Sequence, residues 1–390
     1  MSLSTSFTRF ICLSLLLITV RAYDCPFWEC DYCVPVEVRE AHGVGFDLTT
    51  SYGTSAVHFY NGSIVDVARE VASPTYLNLL RRLSLSSKTP EPSMLQRYLR
   101  RINKSLGRPP TKDIGTLSEL ISSLRAAVEL QLNQTLDRVV VTTPQFPGLT
   151  KDDLRDAIEY AGLKSGLEYS LPYPAMLYAP NAAFAANGRG LCKEWRNLYA
   201  CLEEAEEGEI PSENVHTVTK ELTSLIQLYQ GNTPHIYHSN RLSALDSYSS
   251  PTVYWNEVRN QLQSLPREAA EQGHPISALV LLGESVDDND FTKMLKDALR
   301  GIGATTALTG KTSKEKTQQN ATTEEFIGVP IKQVSRSPVW DAARGAALYA
   351  RIRQELPLDC MEPEECLGKA THAMDREKQR ILRKDKTELK

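Results

Sequence analysis

The amino-acid sequence predicts an α/β protein built from two halves, each containing a mixed β-sheet. Short apolar strands separated by turn residues form one meander at 43–67 and a second at 215–239. Each meander is followed by helical patterns and then by a buried-type strand that leads into a further helix. This repeated order is typical of α/β architecture. The composition agrees, because 41% apolar and 24% charged residues are ordinary values for a globular chain.

The first half opens on three strands and continues with helices. Asn61-Gly62 is a hairpin turn signal between the second and third strands. Thr116 with Glu119, and Thr150 with Asp153, have the spacing of a helix capping box. In chain order we predict strands at Gly43–Leu48, Ser55–Tyr60 and Ser63–Val67, loops at 84–93 and 107–113, a helix from Thr116 to Leu132, a strand at Arg138–Thr142, a helix from Thr150 to Gly162, a strand at Glu168–Leu171 and a helix at Pro180–Asn187.

The second half repeats this order after an acidic stretch at 192–213, which we interpret as a solvated helix face. Its meander has turns at Lys220-Glu221 and at Gly231–Pro234. The predicted elements are strands at Val215–Thr219, Leu222–Tyr229 and His235–Ser239, a helix at Val253–Leu265, a strand at Ile276–Leu282, a helix at Phe291–Leu299, a polar loop at Lys311–Thr323, a strand at Phe326–Ile331 and a helix at Asp341–Arg353.

The N-terminus has the pattern of a secretory signal peptide. Arg9 precedes the apolar run Phe10–Val20, and Val20-Arg21-Ala22 resembles a cleavage site. The run is much shorter than the roughly 20 residues that span a bilayer, so we expect cleavage after Ala22 and no membrane span afterwards. An uncleaved anchor is the alternative interpretation. The predicted location is therefore secreted or within the secretory pathway.

The cysteines and glycosylation sequons support passage through an oxidising compartment. The chain has 8 cysteines, and those after the signal lie in three local groups, which favours short-loop disulfides. The simplest pairs are Cys192 with Cys201 and Cys360 with Cys366, which leaves an odd thiol among Cys25, Cys30 and Cys33. The candidate glycosylation sites are Asn61, Asn103, Asn133 and Asn320. The net charge of −4 gives no electrostatic reason to expect nucleic-acid binding.

Five segments, in chain order, resemble the actin-like ATPase superfamily, and most closely the nucleotide-binding domain of the seventy-kilodalton heat-shock chaperones. The first, Gly45–Tyr52, resembles the family's phosphate-wrapping hairpin. The others are Val139–Phe146, Tyr178–Ala183, Leu279–Ser285 and Asp341–Ala347. The resemblance covers about Gly43 to Arg353 and implies a ribonuclease H-like fold with two lobes around a central cleft.

The resemblance also implies where a nucleotide would lie. Asp47 would hold hydrated magnesium, while Thr49, Thr50 and Ser51 would lie at the phosphates of ATP or ADP. The remaining candidate ligands are Gly283, Glu284 and Ser285 beside adenosine, and Asp341 at the start of the final helix. Thr49 stands where the family has glycine, so its side chain would crowd the phosphates.

Several departures from the family pattern predict little or no ATP hydrolysis. The segment expected to form the second phosphate loop, Thr217–Thr223, contains neither glycine nor aspartate. Ala179 replaces the catalytic glutamate, and the expected lysine has no equivalent, since Lys88 lies in a loop of unlike sequence. Positioning and electrostatics supply nearly all of phosphoryl-transfer catalysis, and each lost donor costs about 2.7–4 kcal/mol by analogy with oxyanion holes.

The sequence therefore predicts a pseudo-ATPase that serves as a binding or scaffold module for an unidentified protein partner. Two enzyme alternatives remain open: a slow ATPase that uses other groups, and a serine hydrolase with Ser285 as the nucleophile after a buried strand. The predicted organisation is a signal peptide at 1–22, a Cys-rich lead-in at 23–42, a first lobe at 43–190, a shortened second lobe at 191–355 and a charged tail at 356–390.

Overall fold

A computed structural model gives the fold of the chain. It describes residues 40–85, 93–144, 146, 148–167, 176–191, 213–219, 223–230, 233–241, 250–271, 278–283, 286, 289–300, 332–333 and 335–355. Several predictions lie outside these residues: the signal peptide, the Cys-rich lead-in, every cysteine, Asn320, the strands at 168–171 and 326–331, the polar loop at 311–323, the acidic stretch at 192–212, Glu284, Ser285 and the charged tail.

The described elements confirm an alternation of meanders and helices. The strands are β1 (Gly43–Leu48), β2 (Tyr52–His58), β3 (Ile64–Val71), β4 (Arg138–Thr143), β5 (Lys164–Ser165), β6 (Leu177–Tyr178), β7 (Glu213–Thr219), β8 (Thr223–Gln230), β9 (Thr233–Arg241), β10 (Ala278–Leu282) and β11 (Lys332–Gln333). The helices are α1 (Pro74–Leu85), α2 (Met94–Ser105), α3 (Lys112–Leu132), α4 (Lys151–Tyr160), α5 (Ala179–Ala186), α6 (Pro251–Glu271), α7 (Asn289–Arg300) and α8 (Asp341–Glu355).

The first sheet has the described strand order β3-β2-β1-β4-β5, with β6 also pairing with β4. Strands β1, β2 and β3 form an antiparallel meander, as the Asn61-Gly62 turn predicts. Strand β4 runs parallel to β1, and their register places Asp47 beside Thr142. The sheet is therefore mixed, as predicted.

The second sheet repeats the topology of the first. Its described order is β11-β10-β7-β8-β9, in which β7, β8 and β9 form an antiparallel meander and β10 lies parallel to β7. Strand β11 is parallel to β10, as β5 is parallel to β4. Counted along the chain within each half, both sheets have the order 3-2-1-4-5 with the same strand directions.

Alternation along β1 gives the first sheet two different faces. Val44, Phe46 and Leu48 belong to a large apolar core that includes Leu117 and Ile121 of α3. The side chains of a strand alternate between faces, so Gly43, Gly45 and Asp47 point the other way. A Cβ atom on Gly45 would lie 2.1 Å from the backbone nitrogen of Ala347, which shows that α8 lies directly against β1.

Helices α5 and α8 pack together between the inner faces of the sheets. On one side, Ala183 and Phe184 of α5 pack with Val280 and Leu282 of β10. On the other, Ala346 of α8 packs with Val140 of β4 and Ala182 of α5. The two helices approach closely at Gly345, where a Cβ would lie 1.8 Å from the carbonyl oxygen of Ala182. Small residues make this contact possible, as the alanine-rich sequences suggest.

The start of α3 was predicted wrongly. The helix begins at Lys112, and the Thr111 side chain accepts a hydrogen bond from the Ile114 N–H as its N-cap. Thr116 lies inside the helix, where its hydroxyl donates to the Lys112 carbonyl instead of capping an end. The second capping box is confirmed, because Thr150 and Asp153 bond reciprocally at the start of α4.

Helices α1 and α2 were not predicted. Both have start signals that could have revealed them, since Ser73 precedes Pro74 and Ser93 forms a capping box with Gln96. Residues Glu40–Gln354 form one compact unit. Among the helices that the structure describes, none combines the length and apolar character needed to cross a membrane.

Candidate functional site

The turn between β1 and β2 is the centre of the candidate site. Asp47 stands at the carboxyl end of β1 and is only 4% exposed. The Thr142 hydroxyl donates a 2.8 Å hydrogen bond to Asp47 Oδ1, as their paired register allows. Burial raises the Asp47 pKa to about 7, and the hydrogen bond from Thr142 opposes that rise. A carboxyl in this state is only partly ionised near neutral pH.

The Thr49 side chain forms hydrogen bonds within its own turn. Its hydroxyl oxygen accepts hydrogen bonds from the backbone N–H groups of Ser51 and Tyr52, at 3.3 and 3.1 Å. The same hydroxyl donates to the Tyr52 carbonyl at 2.7 Å, and the Thr49 N–H donates to that carbonyl at 2.9 Å. Backbone N–H groups of this kind are the donors that would cradle a phosphate. Here the Thr49 side chain uses two of them.

Tyr76 of α1 supports the turn through a hydrogen bond. The side chain is buried, and its hydroxyl donates a 2.9 Å hydrogen bond to the Thr49 carbonyl. Burial raises the Tyr76 pKa well above its usual value, and the negative charge of Asp47 raises it further. Tyr76 was not predicted as part of the site because α1 was not predicted, although Ser73-Pro74 is a helix start signal.

The turn after β10 lies beside the β1–β2 turn. Gly283 has a positive φ of 89°. Its N–H donates to the Pro338 carbonyl at 3.0 Å. A Cβ atom built on Gly283 would lie 4.0 Å from the Tyr52 hydroxyl oxygen. Gly283, at the end of β10, therefore lies near the side chain of Tyr52, the first residue of β2, while the role of Gly283 as a ligand stays a prediction.

Asp341 has partners of its own at the start of α8. Its Oδ2 accepts hydrogen bonds from the N–H groups of Arg336 and Ser337, both at 3.1 Å, and from Asn187 Nδ2 at 3.0 Å. Asn187 follows α5, so the carboxylate joins the two inner helices at their ends. The predicted ligand therefore acts as a helix-end connector, a role that a tertiary contact with Asn187 creates.

Ala179, which the sequence resemblance aligns with a catalytic glutamate, is the first residue of α5. Ala179 is buried and packs in the apolar cluster that includes β10. It supplies no group that could orient or activate a water molecule. Within the described part of the chain, no three His, Cys, Asp or Glu side chains are grouped to hold a metal ion.

The three described glycosylation candidates present their asparagine side chains differently. Asn61 is exposed, and its Oδ1 accepts hydrogen bonds from the Ser63 N–H and hydroxyl at 2.9 and 2.7 Å. Asn103 is half-buried, and its Nδ2 donates to the Pro110 carbonyl at 3.2 Å. Asn133 is exposed and ends α3 in the left-handed conformation, with a φ of 52°.

We expect a chain expressed through a glycosylating compartment to carry a glycan at Asn61 and none at Asn103. A glycan on the Asn103 amide nitrogen would disturb the bond to Pro110, whereas Asn61 extends into water. Intact-mass measurement checks this: Asn61→Gln should lower the mass by one glycan, and Asn103→Gln should leave the glycan mass unchanged. A glycan lost only with Asn103→Gln would contradict the prediction.

Comparisons with known proteins identify no family. No protein-family model matches the sequence. No curated protein matches it either. Among solved structures, the chain is similar to the ethanolamine utilization protein EutJ from Carboxydothermus hydrogenoformans, with 13% identity and a TM-score of 0.42 over 79% of this chain and 90% of that chain. This is a distant similarity of backbone structure.

Proposed function

We propose that the chain is a degenerate member of the actin-like ATPase fold that serves as a non-hydrolysing binding or scaffold module for a protein partner. The repeated 3-2-1-4-5 strand order of the two described sheets supports the fold. The contact of α5 and α8 between the two sheets supports a bilobal arrangement around a cleft. The family's nucleotide would then lie at the ends of β1 and β10.

One observation is the main support for the proposed loss of nucleotide binding and hydrolysis. The Thr49 hydroxyl accepts hydrogen bonds from the turn N–H groups that a phosphate would need, and Tyr76 holds the Thr49 carbonyl in place. A phosphate would have to displace this side chain and its three hydrogen bonds. The site in this form does not fit a nucleotide phosphate, so we derive no catalytic step through ATP or magnesium.

The other positions of the site support the same conclusion. Ala179 is buried where a glutamate would activate water, and the segment between β7 and β8, Lys220-Glu221-Leu222, has no glycine to bring a backbone close to phosphates. These changes remove positioning and charge together.

We place the protein in the secretory pathway, on the strength of the signal-peptide pattern, the locally grouped cysteines and the sequons in the sequence. A protein partner there would bind a surface of the module. Neither the slow ATPase nor the serine hydrolase gains support from the described residues.

The test is a thermal-shift titration with magnesium-ATP on the wild type, Thr49→Gly and Thr49→Val. We expect no shift for the wild type at millimolar nucleotide. Thr49→Gly frees the turn N–H groups and should give a stabilisation of about 2.7 kcal/mol when nucleotide reaches a hundred times its Kd. Thr49→Val removes the hydroxyl and its hydrogen bonds but keeps the bulk. It should bind as Thr49→Gly does if the hydrogen bonds close the turn, whereas binding by Thr49→Gly alone would assign the closure to the bulk of the side chain.

Two results would count against the proposal. Stabilisation of the wild type by nucleotide would show that the turn opens by itself, and phosphate release abolished by Asp47→Asn would establish the slow ATPase. If neither the variants nor the wild type binds nucleotide, Thr49 is not the residue that prevents binding. That result would reject the role proposed for the Thr49 hydrogen bonds, but it would agree with the absence of nucleotide binding.

A further inference from the structure

Helix α2 is attached to the rest of the protein by its charged face. Arg100 contacts Asp153 and Asp156 of α4 at 3.0 and 2.5 Å, and Lys104 contacts Asp156 and Glu159 at 2.9 and 2.5 Å. The Asp156 side chain is only 5% exposed, so these ion pairs are shielded from water on one side. In most amphipathic helices of globular proteins the apolar face is the one that packs inward. Here the orientation is reversed.

The apolar face of α2 therefore points into solvent. Met94, Leu95, Tyr98 and Leu99 are 82%, 65%, 62% and 48% exposed, and the helix has no buried residue. Their spacing of one and four residues places them on a single side of the helix. Single exposed apolar residues are common on protein surfaces, but a continuous stripe of four large ones indicates a binding surface.

The helix is also already formed. Ser93 and Gln96 make a reciprocal capping box, with bonds of 3.2 and 2.8 Å. The ion pairs to α4 fix its orientation. A partner would therefore meet a rigid stripe and would not bear the entropy of ordering a disordered segment.

The charges beside the stripe select the kind of partner. Helix α2 contains no acidic residue, although the whole chain has a net charge of −4. Arg101 is exposed, and it follows Tyr98 by three residues and Met94 by seven, so it borders the stripe. A binding partner of this face must therefore present apolar groups next to negatively charged groups.

We propose that α2 is an interfacial helix that binds an anionic lipid surface, which for a protein of the secretory pathway is the lumenal or outer leaflet of a membrane. The Met and Leu side chains would insert among the acyl chains, Tyr98 would lie at the headgroup boundary, and lipid phosphates and carboxylates would attract Arg101. An anionic bilayer offers apolar acyl chains and negatively charged headgroups side by side, which are the two kinds of group that the exposed face of α2 requires. This surface is independent of the closed turn at Thr49, so the two proposals can fail separately.

The experiment is co-sedimentation of the full chain with phosphatidylcholine vesicles that contain about 30% phosphatidylserine, compared with phosphatidylcholine alone. We expect binding to the anionic vesicles that weakens with added salt. Leu99→Ser should weaken the partition coefficient about tenfold, and Arg101→Gln about fivefold. The N-terminal apolar run can also meet lipid, so the readout is the difference between variants and wild type.

Matched controls come from other exposed positions. Leu130→Ser removes a leucine of α3 that is 85% exposed, and Arg138→Gln removes an exposed arginine of β4; both should bind as the wild type does. Because all four side chains are exposed, unchanged melting temperatures should confirm folding. Equal binding by Leu99→Ser and Leu130→Ser would overturn the proposal. So would a concentration-dependent dimer that Leu99→Ser abolishes, because that result would assign the stripe to a second copy of the chain.

Discussion

Replacing Gly345 by alanine is expected to lower the free energy of unfolding by about 3 kcal/mol or more, at or beyond the upper end of the usual cost of overpacking. The added Cβ would lie 1.8 Å from the Ala182 carbonyl oxygen and 2.3 Å from its carbon. Both are backbone atoms of α5, so no side chain can rotate away. The two inner helices would have to separate, and their contacts with both sheets would weaken together.

Urea denaturation monitored by circular dichroism measures this effect. Gly115→Ala is the matched control, since Gly115 also lies inside a helix and its nearest neighbour is a Pro109 side-chain atom at 3.2 Å. Alanine favours the helix over glycine by about 1 kcal/mol, and the tight contact with Pro109 offsets part of that gain, so this variant should not be less stable than the wild type. If Gly345→Ala were as stable as Gly115→Ala, the close approach of α5 and α8 would be wrong.

Asp47→Asn should remove a pH dependence from the stability of the protein. The folded-state pKa of about 7 lies above the ordinary value of 3.8, so the folded chain holds this proton more tightly than the unfolded chain. The stabilisation from that proton is complete below pH 3.8 and is lost as the pH rises through 7. Between these values, the wild type should lose up to about 1.4 kcal/mol for each pH unit.

Asparagine keeps an oxygen that can accept the Thr142 hydrogen bond, but it has no charge to bury. We therefore expect Asp47→Asn to be close to the wild type at pH 4 and more stable than it at pH 8. Asp152→Asn removes a carboxylate that is 55% exposed and serves as the control. Unfolding titrations at several pH values measure both. A constant difference between Asp47→Asn and the wild type from pH 4 to 8 would show that the carboxyl is ionised throughout.

The local elements of this protein could be predicted from sequence patterns. The strands of both meanders, the Asn61-Gly62 turn and the Thr150 capping box depend on residues that are neighbours in the chain, so periodicity and turn chemistry suffice to find them. Thr116 and Glu119 show the limit of that approach. They have a correct spacing, but Thr111 begins the helix earlier and places Thr116 inside it.

The candidate site was predicted only in outline. Asp47 and Gly283 were proposed as ligands through a resemblance, and the structure places Gly283 near the side chain of Tyr52, at the start of the strand that follows the Asp47 turn. Tyr76 and Asn187 were missed because each acts through a partner far away in sequence, the Thr49 carbonyl and the Asp341 carboxylate. A hydrogen-bond donor found in the sequence can serve a ligand or another part of the chain, and only the fold shows which.

The sequence by itself determined an α/β chain with two meanders, and it placed a bulky threonine at position 49 where the resembling family has glycine. The tertiary structure decided three further matters: that Thr49 uses the turn N–H groups itself, that burial raises the Asp47 pKa to about 7, and that α2 turns its apolar side outward. The physical reason is the same for each. Satisfied donors, desolvated charges and exposed faces depend on which distant segments come into contact, and local sequence patterns do not record those contacts.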